Sequence, residues 1–223
     1  MSVKIIARFN TSGDLHCNGD FALKIFVNGV ISSVTYRRHG VLHNYDGPAY
    51  ILYKDGKPIE TYYYVDGRLH RVDGPAITIY HDNGNLRIVE YWTYGLRHRF
   101  RLPQTEIFCK SGELLAQYYY EYGFTPTNFP GSIKYYTNGN FLQIKYFDKI
   151  PGLPNLIEYY EKGQIMSLSL VIDKDKLVHT VYYYDGKLAI KRYTDRNTNV
   201  YEYYNFDGIL DKKRDYHNIF TLP

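Results

Sequence analysis

Cysteine, methionine and tryptophan are nearly missing from this chain, at 2, 2 and 1 of 223 residues. Two cysteines, Cys17 and Cys109, cannot build a disulfide framework, which excludes the small stapled secreted class and fits a reducing compartment. No apolar run approaches the ~18 residues that a membrane-spanning helix needs. The opening Met1-Ser2-Val3-Lys4-Ile5-Ile6-Ala7-Arg8 lacks the long apolar core of a signal peptide, so an intracellular location is expected. A sustained 3.6-residue period is also missing, and only 210–216 has a spacing that allows a helical turn or two. Catalytic signatures are equally scarce: there is no G-x-S-x-G, no P-loop and no H-E-x-x-H. Cys17 lies beside His16, but neighbouring strand residues point to opposite faces, so the pair cannot act as nucleophile and base. Glu158 with Glu161, and Asp173 with Asp175, stand without an accompanying constellation. No catalytic residue and no cofactor are expected. The charge excess of one sign is small, with 27 Lys and Arg against 23 Asp and Glu for a net +4, below what a dedicated nucleic-acid binder carries.

What the chain has in abundance is tyrosine, 27 residues, and glycine, 18, in a fixed rhythm. Gly13, Gly40, Gly67, Gly95 and Gly123 are 27 or 28 residues apart, and Gly29, Gly56, Gly84, Gly112 and Gly139 follow them by 16 or 17. Further columns keep the same step: His16, His43, His70 and His98; Pro48, Pro75 and Pro103; Ala22, Ala49 and Ala76. Such self-similarity marks a repeat array whose members bury apolar surface against their neighbours. Asn28-Gly29, Asp55-Gly56, Asp66-Gly67, Asn83-Gly84, Asn138-Gly139, Asp185-Gly186 and Asp207-Gly208 are turn pairs that tolerate the positive φ of a tight hairpin. The runs between them, such as Ile59-Glu60-Thr61-Tyr62-Tyr63-Tyr64, suit a pleated sheet. Proline cannot donate to a ladder, so Pro48, Pro75 and Pro103 mark strand starts. The expected fold is all-β: an elongated antiparallel meander with five two-hairpin repeats over 1–147, then shorter hairpins and a cap over 148–223 continuing the same sheet. Beyond 147 the break at 151–154 and turns near Gly163, Asp173 to Asp175, Gly186, Asn197 and Gly208 keep only a spacing of about 11 residues. The tyrosines are expected mainly as cross-strand ladders, with ligand stacking the lesser alternative.

Two stretches carry a resemblance. Gly40-Val41-Leu42-His43-Asn44-Tyr45-Asp46-Gly47-Pro48-Ala49 and 67–76, with the Tyr63-Tyr64-Val65-Asp66-Gly67 turn, resemble the MORN-like hairpin repeats, in the G-x-L-H-R-x-D-G-P-A variant found in large DNA viruses, phages and bacteria. The units headed by Gly13 and Gly95 keep the histidine but lose Asp-Gly-Pro. The resemblance implies a single-layer or curved sheet, non-enzymatic, that binds proteins or anionic membranes. On that basis the expected role is a protein-interaction scaffold, a viral or phage structural or host-interaction protein in host cytoplasm or virion. The alternatives are a peripheral module for anionic lipid or, less favoured, single-stranded nucleic-acid binding.

The chemistry is concentrated in one row: Arg37, Arg38, His43, Arg68, His70, Arg71, Arg97, His98, Arg99 and Arg101. Equivalent positions in successive units lie two strands, about 9–10 Å, apart, so the histidines cannot converge on a metal, whose ligands sit within about 2.1 Å of the ion. Within one unit, His43 with Asp46 or His70 with Asp73 reads as a self-bonded loop. Taken together the row is a candidate anion- or partner-binding edge, with a solvated charged edge that blocks association as the plainer reading. Open sheet edges would also permit self-assembly, unless Lys212, Lys213 and Arg214 block it.

Overall fold

The computed structural model describes residues 1–17, 19–120, 122–124, 130–146, 155–173, 176–195 and 198–217. The expected break at 151–154, part of the turn at 173–175 and Asn197 lie outside the described residues, as does the 147/148 boundary. The described chain is all-β, without a helix. It forms two compact units, Met1–Phe124 and Thr125–Pro223.

In the first unit the main sheet runs in chain order through Val3–Ala7, Leu23–Val27, Val30–Thr35, Tyr50–Lys54, Lys57–Tyr62, Ile77–Tyr80, Leu86–Glu90, Thr105–Phe108 and Leu114–Tyr118. Each pairs antiparallel with the next. The strands after Pro48, Pro75 and Pro103 begin at Tyr50, Ile77 and Thr105, where the missing N–H no longer interrupts a ladder. Each of three repeats also holds a shorter second hairpin ahead of its motif loop. Arg37–Arg38 pairs with Val41–Leu42, Tyr64–Val65 with Arg68–Leu69, and Trp92–Thr93 with Leu96–Arg97.

These two-residue ladders stack on one another. The N–H groups of Gly40, Gly67, Gly95 and Gly123 donate to the carbonyls of Leu15, Leu42, Leu69 and Arg97 of the preceding unit, at 2.8–3.0 Å. Each repeat is thus a long hairpin in the sheet and a short hairpin in a second column. Tyr36, Tyr63 and Tyr91 join the two. Their N–H groups bond to Ala49, Ala76 and Gln104 in the sheet, and their carbonyls accept from His43, His70 and His98 in the short column. Ala22, Ala49 and Ala76 are fully buried. Gln104 takes the equivalent place in the next unit, its amide bonded to the Tyr118 carbonyl and to Thr105 Oγ1.

Turn chemistry divides in two. At Asn28-Gly29, Asp55-Gly56 and Asp66-Gly67 both residues have positive φ, as a two-residue hairpin turn requires. At Gly84, Gly139, Gly186 and Gly208 only the glycine does, so the expectation of a tight turn at those pairs is corrected. There a longer turn, closed by Gly84 N–H to His81 O and His81 N–H to Asn85 O, meets a bulge at Ile79/Tyr80.

The second unit is a plain meander of Ser132–Tyr135, Phe141–Lys145, Leu156–Tyr159, Ile165–Asp173, Lys176–Tyr182, Leu188–Thr194, Thr198–Tyr204 and Leu210–His217. The helical turn allowed at 210–216 is replaced by that last strand, whose backbone is satisfied by the partner Thr198–Tyr204. Tyr136, Tyr160 and Tyr183 hydroxyls donate to the carbonyls of Tyr159, Tyr182 and Tyr204 at 2.9–3.0 Å. Tyrosine therefore stitches one turn to the next along this unit.

Candidate functional site

The motif loops at 43–48, 70–75 and 98–103 follow the short hairpins and lie side by side in the first unit. Their histidines do not close their own loops. Nδ1 of His16, His43, His70 and His98 accepts the N–H of His39, Asp66, Tyr94 and Tyr122, at 3.1–3.4 Å, each on the turn of the following unit. Those four turn residues all have φ between 46 and 49°, a conformation that residues with a Cβ avoid. The histidine stabilises the strained turn from below. His70 stacks on Tyr94 at 4.0 Å and 13°, and His98 on Tyr122 at 3.9 Å and 14°. Where the turn residue is Asp66, its Oδ1 lies 2.8 Å from Nδ1 of the buried His43. One nitrogen cannot accept the N–H and donate to the carboxylate at once, so a ring with bare Nδ1 serves the first contact and a ring with Nδ1–H the second. The pairing of His43 with Asp46 and of His70 with Asp73 is thereby corrected: the column is a clasp between units.

The arginine after the histidine closes the loop instead. Arg71 lies over the Tyr63 ring at 4.0 Å and donates Nη1 to the Pro75 carbonyl, while Arg99 lies over Tyr91 at 3.8 Å and donates to Pro103. Asn44 makes the equivalent bond to Pro48 O. Arg99 also meets Glu106 at 3.5 Å. Arg37 donates to Gly40 O, and Arg97 reaches Glu90 at 3.4 Å beside Trp92. Arg38, Arg68 and Arg101 remain exposed and without a carboxylate partner among the described residues. Of the ten row residues, then, three histidines and four arginines are held by neighbours in the fold. Among the described residues no three His, Cys, Asp or Glu side chains gather as a metal site.

Sequence reasoning missed what the loops present outward. The fifth residue after three head glycines, Tyr45, Val72 and Phe100, is 71, 80 and 66% exposed although apolar. The signal was available as an apolar residue recurring beside charged ones. Between successive loops lie grooves. The first is floored by Tyr36 and walled by Tyr45 and Asp46. The second, about 480 Å³, lies between 44–47 and 70–73 over Tyr63. The third lies between 71–74 and 98–100 over Tyr91. Burial pushes the Tyr36 phenol up, keeping it neutral. Asp20, at the first groove, is held below the usual carboxylate range by its bond to Arg8 and by the Phe21 N–H. The Asp46 and Asp73 carboxylates have no partner among the described residues. The ensemble offers aromatic walls and fixed charges over a rigid lattice.

Neither protein-family models nor curated proteins match this chain, and the site is read from its own geometry.

Proposed function

We infer that the chain is a non-enzymatic repeat scaffold that docks a protein partner on the loop face of its first unit. The observation that carries this reading is the column Tyr45, Val72 and Phe100. Three exposed apolar side chains recur at the repeat spacing on loops closed by Asn44, Arg71 and Arg99. Apolar surface already ordered by the fold binds at low conformational cost, and exposed apolar patches mark interaction sites. The partner class is a protein of a virus particle or its host, consistent with the viral and phage setting that the repeat resemblance implies. A face that met anionic lipid or nucleic acid would display most of its guanidiniums; of the seven arginines in the row, Arg37, Arg71, Arg97 and Arg99 are engaged by rings, carbonyls or carboxylates, which leaves Arg38, Arg68 and Arg101 exposed. The test is recovery of the tagged protein from its native source after mild crosslinking. A stable stoichiometric protein complex, with crosslinks or protection mapping to 43–48, 70–75 and 98–103, is expected. Recovery of the chain alone, or protection confined to other surfaces, overturns the reading.

A further inference from the structure

The three loop-face grooves form a ruler. Each repeat adds two strands, so successive grooves are spaced by about 9.6 Å at ~4.8 Å per strand. An extended β-strand returns a side chain to the same face every ~6.8 Å, and an α-helix returns one after about 5.4 or 10.5 Å. A polyproline II helix has three residues per turn at ~3.1 Å each, about 9.3 Å per turn, which stays in step across three grooves. Such helices dock in aromatic-lined grooves, and here the ridges are Tyr45, the aliphatic Val72 and Phe100, with Tyr36, Tyr63 and Tyr91 lining the grooves between.

Charge distinguishes the middle groove from its neighbours. It alone is lined by both Asp46 and Asp73, against the single guanidinium of Arg71, which is pinned over Tyr63. In the first groove Asp20 is tied to Arg8, and Arg37 and Arg38 offset Asp46. In the third, Arg71 and Arg99 flank Asp73. A cation is therefore favoured in the middle groove, with its aliphatic stem along Tyr45 and Tyr94, and an uncharged ring in each outer one.

Resting on the scaffold reading above, we propose that the loop face binds a polyproline II segment of pattern Pro-x-x-Arg-x-x-Pro. The arginine, or a lysine in its place, enters the groove between 44–47 and 70–73 and contacts Asp46 and Asp73. The two prolines lie in the outer grooves against Tyr36 and Tyr91. The remaining residues of each turn face solvent.

The test uses fluorescein-labelled Pro-Pro-Pro-Pro-Arg-Pro-Pro-Pro-Pro and fluorescence anisotropy with the full chain. Two control peptides replace the arginine by glutamate, or replace the prolines by alternating glycine and serine. Binding of the first peptide at least tenfold tighter than either control is expected, and D46N/D73N should bring it to the level of the glutamate control. Both carboxylates are on exposed loops, and an unchanged circular dichroism spectrum and urea midpoint confirm that the variant is folded. No binding, equal binding of the flexible peptide, or equal binding of the glutamate peptide overturns the proposal. If the peptides fail while the native partner is still recovered on the loop face, the groove assignment falls and the scaffold reading stands. If no partner is recovered either, both fall.

Discussion

Replacing His70 with alanine removes one clasp and leaves its neighbours in place. The bond from the Tyr94 N–H is 3.3 Å and exposed, so water replaces part of it and its loss costs about 0.5–1 kcal/mol. The ring stacked at 4.0 Å contributes a further ~0.5–1.5 kcal/mol. His70→Ala is therefore expected to destabilise by about 1–2.5 kcal/mol, and His70→Phe, which keeps a ring but not the acceptor, by about 0.5–1 kcal/mol. Tyr94 has φ 46°, a conformation that costs a residue with a Cβ about 1–2 kcal/mol. Tyr94→Gly in the native background relieves that strain and forfeits the stack, so it should be close to neutral. In the His70→Ala background the stack is already gone, and the same change should stabilise by about 1 kcal/mol. Trp92, the single tryptophan, sits in this short hairpin, so urea unfolding followed by its fluorescence reads the site directly. Equal effects of Tyr94→Gly in both backgrounds, with His70→Ala within about 0.3 kcal/mol of the native chain, would refute the clasp.

Other consequences are as specific. Ala49→Leu places a larger side chain at a position with no exposed surface and should cost about 1–3 kcal/mol by overpacking, measured as a fall in the urea midpoint. Arg71→Lys keeps the charge but loses the planar contact with Tyr63 and the fork that reaches Pro75, costing about 0.5–1.5 kcal/mol, whereas Arg68→Ala at an exposed position should stay within about 0.5 kcal/mol. The Tyr62 phenol is pushed up by burial and by its hydroxyl bond to Glu60. A raised folded-state value means that its contribution is fully present below the usual tyrosine range near pH 10 and is lost as pH climbs beyond it. Urea midpoints from pH 8 to about 11.5 should fall in the native chain and fall less in Tyr62→Phe; parallel curves would contradict this assignment.

The repeat, the meander and the strand starts were legible because they rest on local chemistry. Glycine columns announce the turns, and Pro48, Pro75 and Pro103 announce where ladders can begin. The short-hairpin column was legible in its turns at Gly40, Gly67 and Gly95, but its stacking was not, because a two-residue ladder such as Arg37–Arg38 with Val41–Leu42 leaves no pattern that names its neighbours. The histidine column was visible, but its partners were not. Nδ1 of His70 bonds 24 residues away, while Asp73 lies three positions along and suggested a local pair. Likewise Asn83-Gly84 and Asp66-Gly67 look alike as dipeptides, but Asn83-Gly84 lies inside a longer turn closed between His81 and Asn85, where only the glycine takes positive φ. The arginine row was legible as charge, but its use on Tyr63 and Tyr91 depends on rings eight residues earlier in the chain. At 210–216 a polar stretch with helix-compatible spacing became a strand because Thr198–Tyr204 offered it an unpaired edge.

The central claim is that the loop ridges, rather than the cation row, form the docking surface. It is tested most directly by comparing partner recovery for the native chain with two variants of unchanged urea midpoint. One is Tyr45→Ser/Val72→Ser/Phe100→Ser, and the other is Arg38→Ala/Arg68→Ala/Arg101→Ala. The account predicts that the first loses the partner and the second retains it. Retention by the first and loss by the second would contradict it.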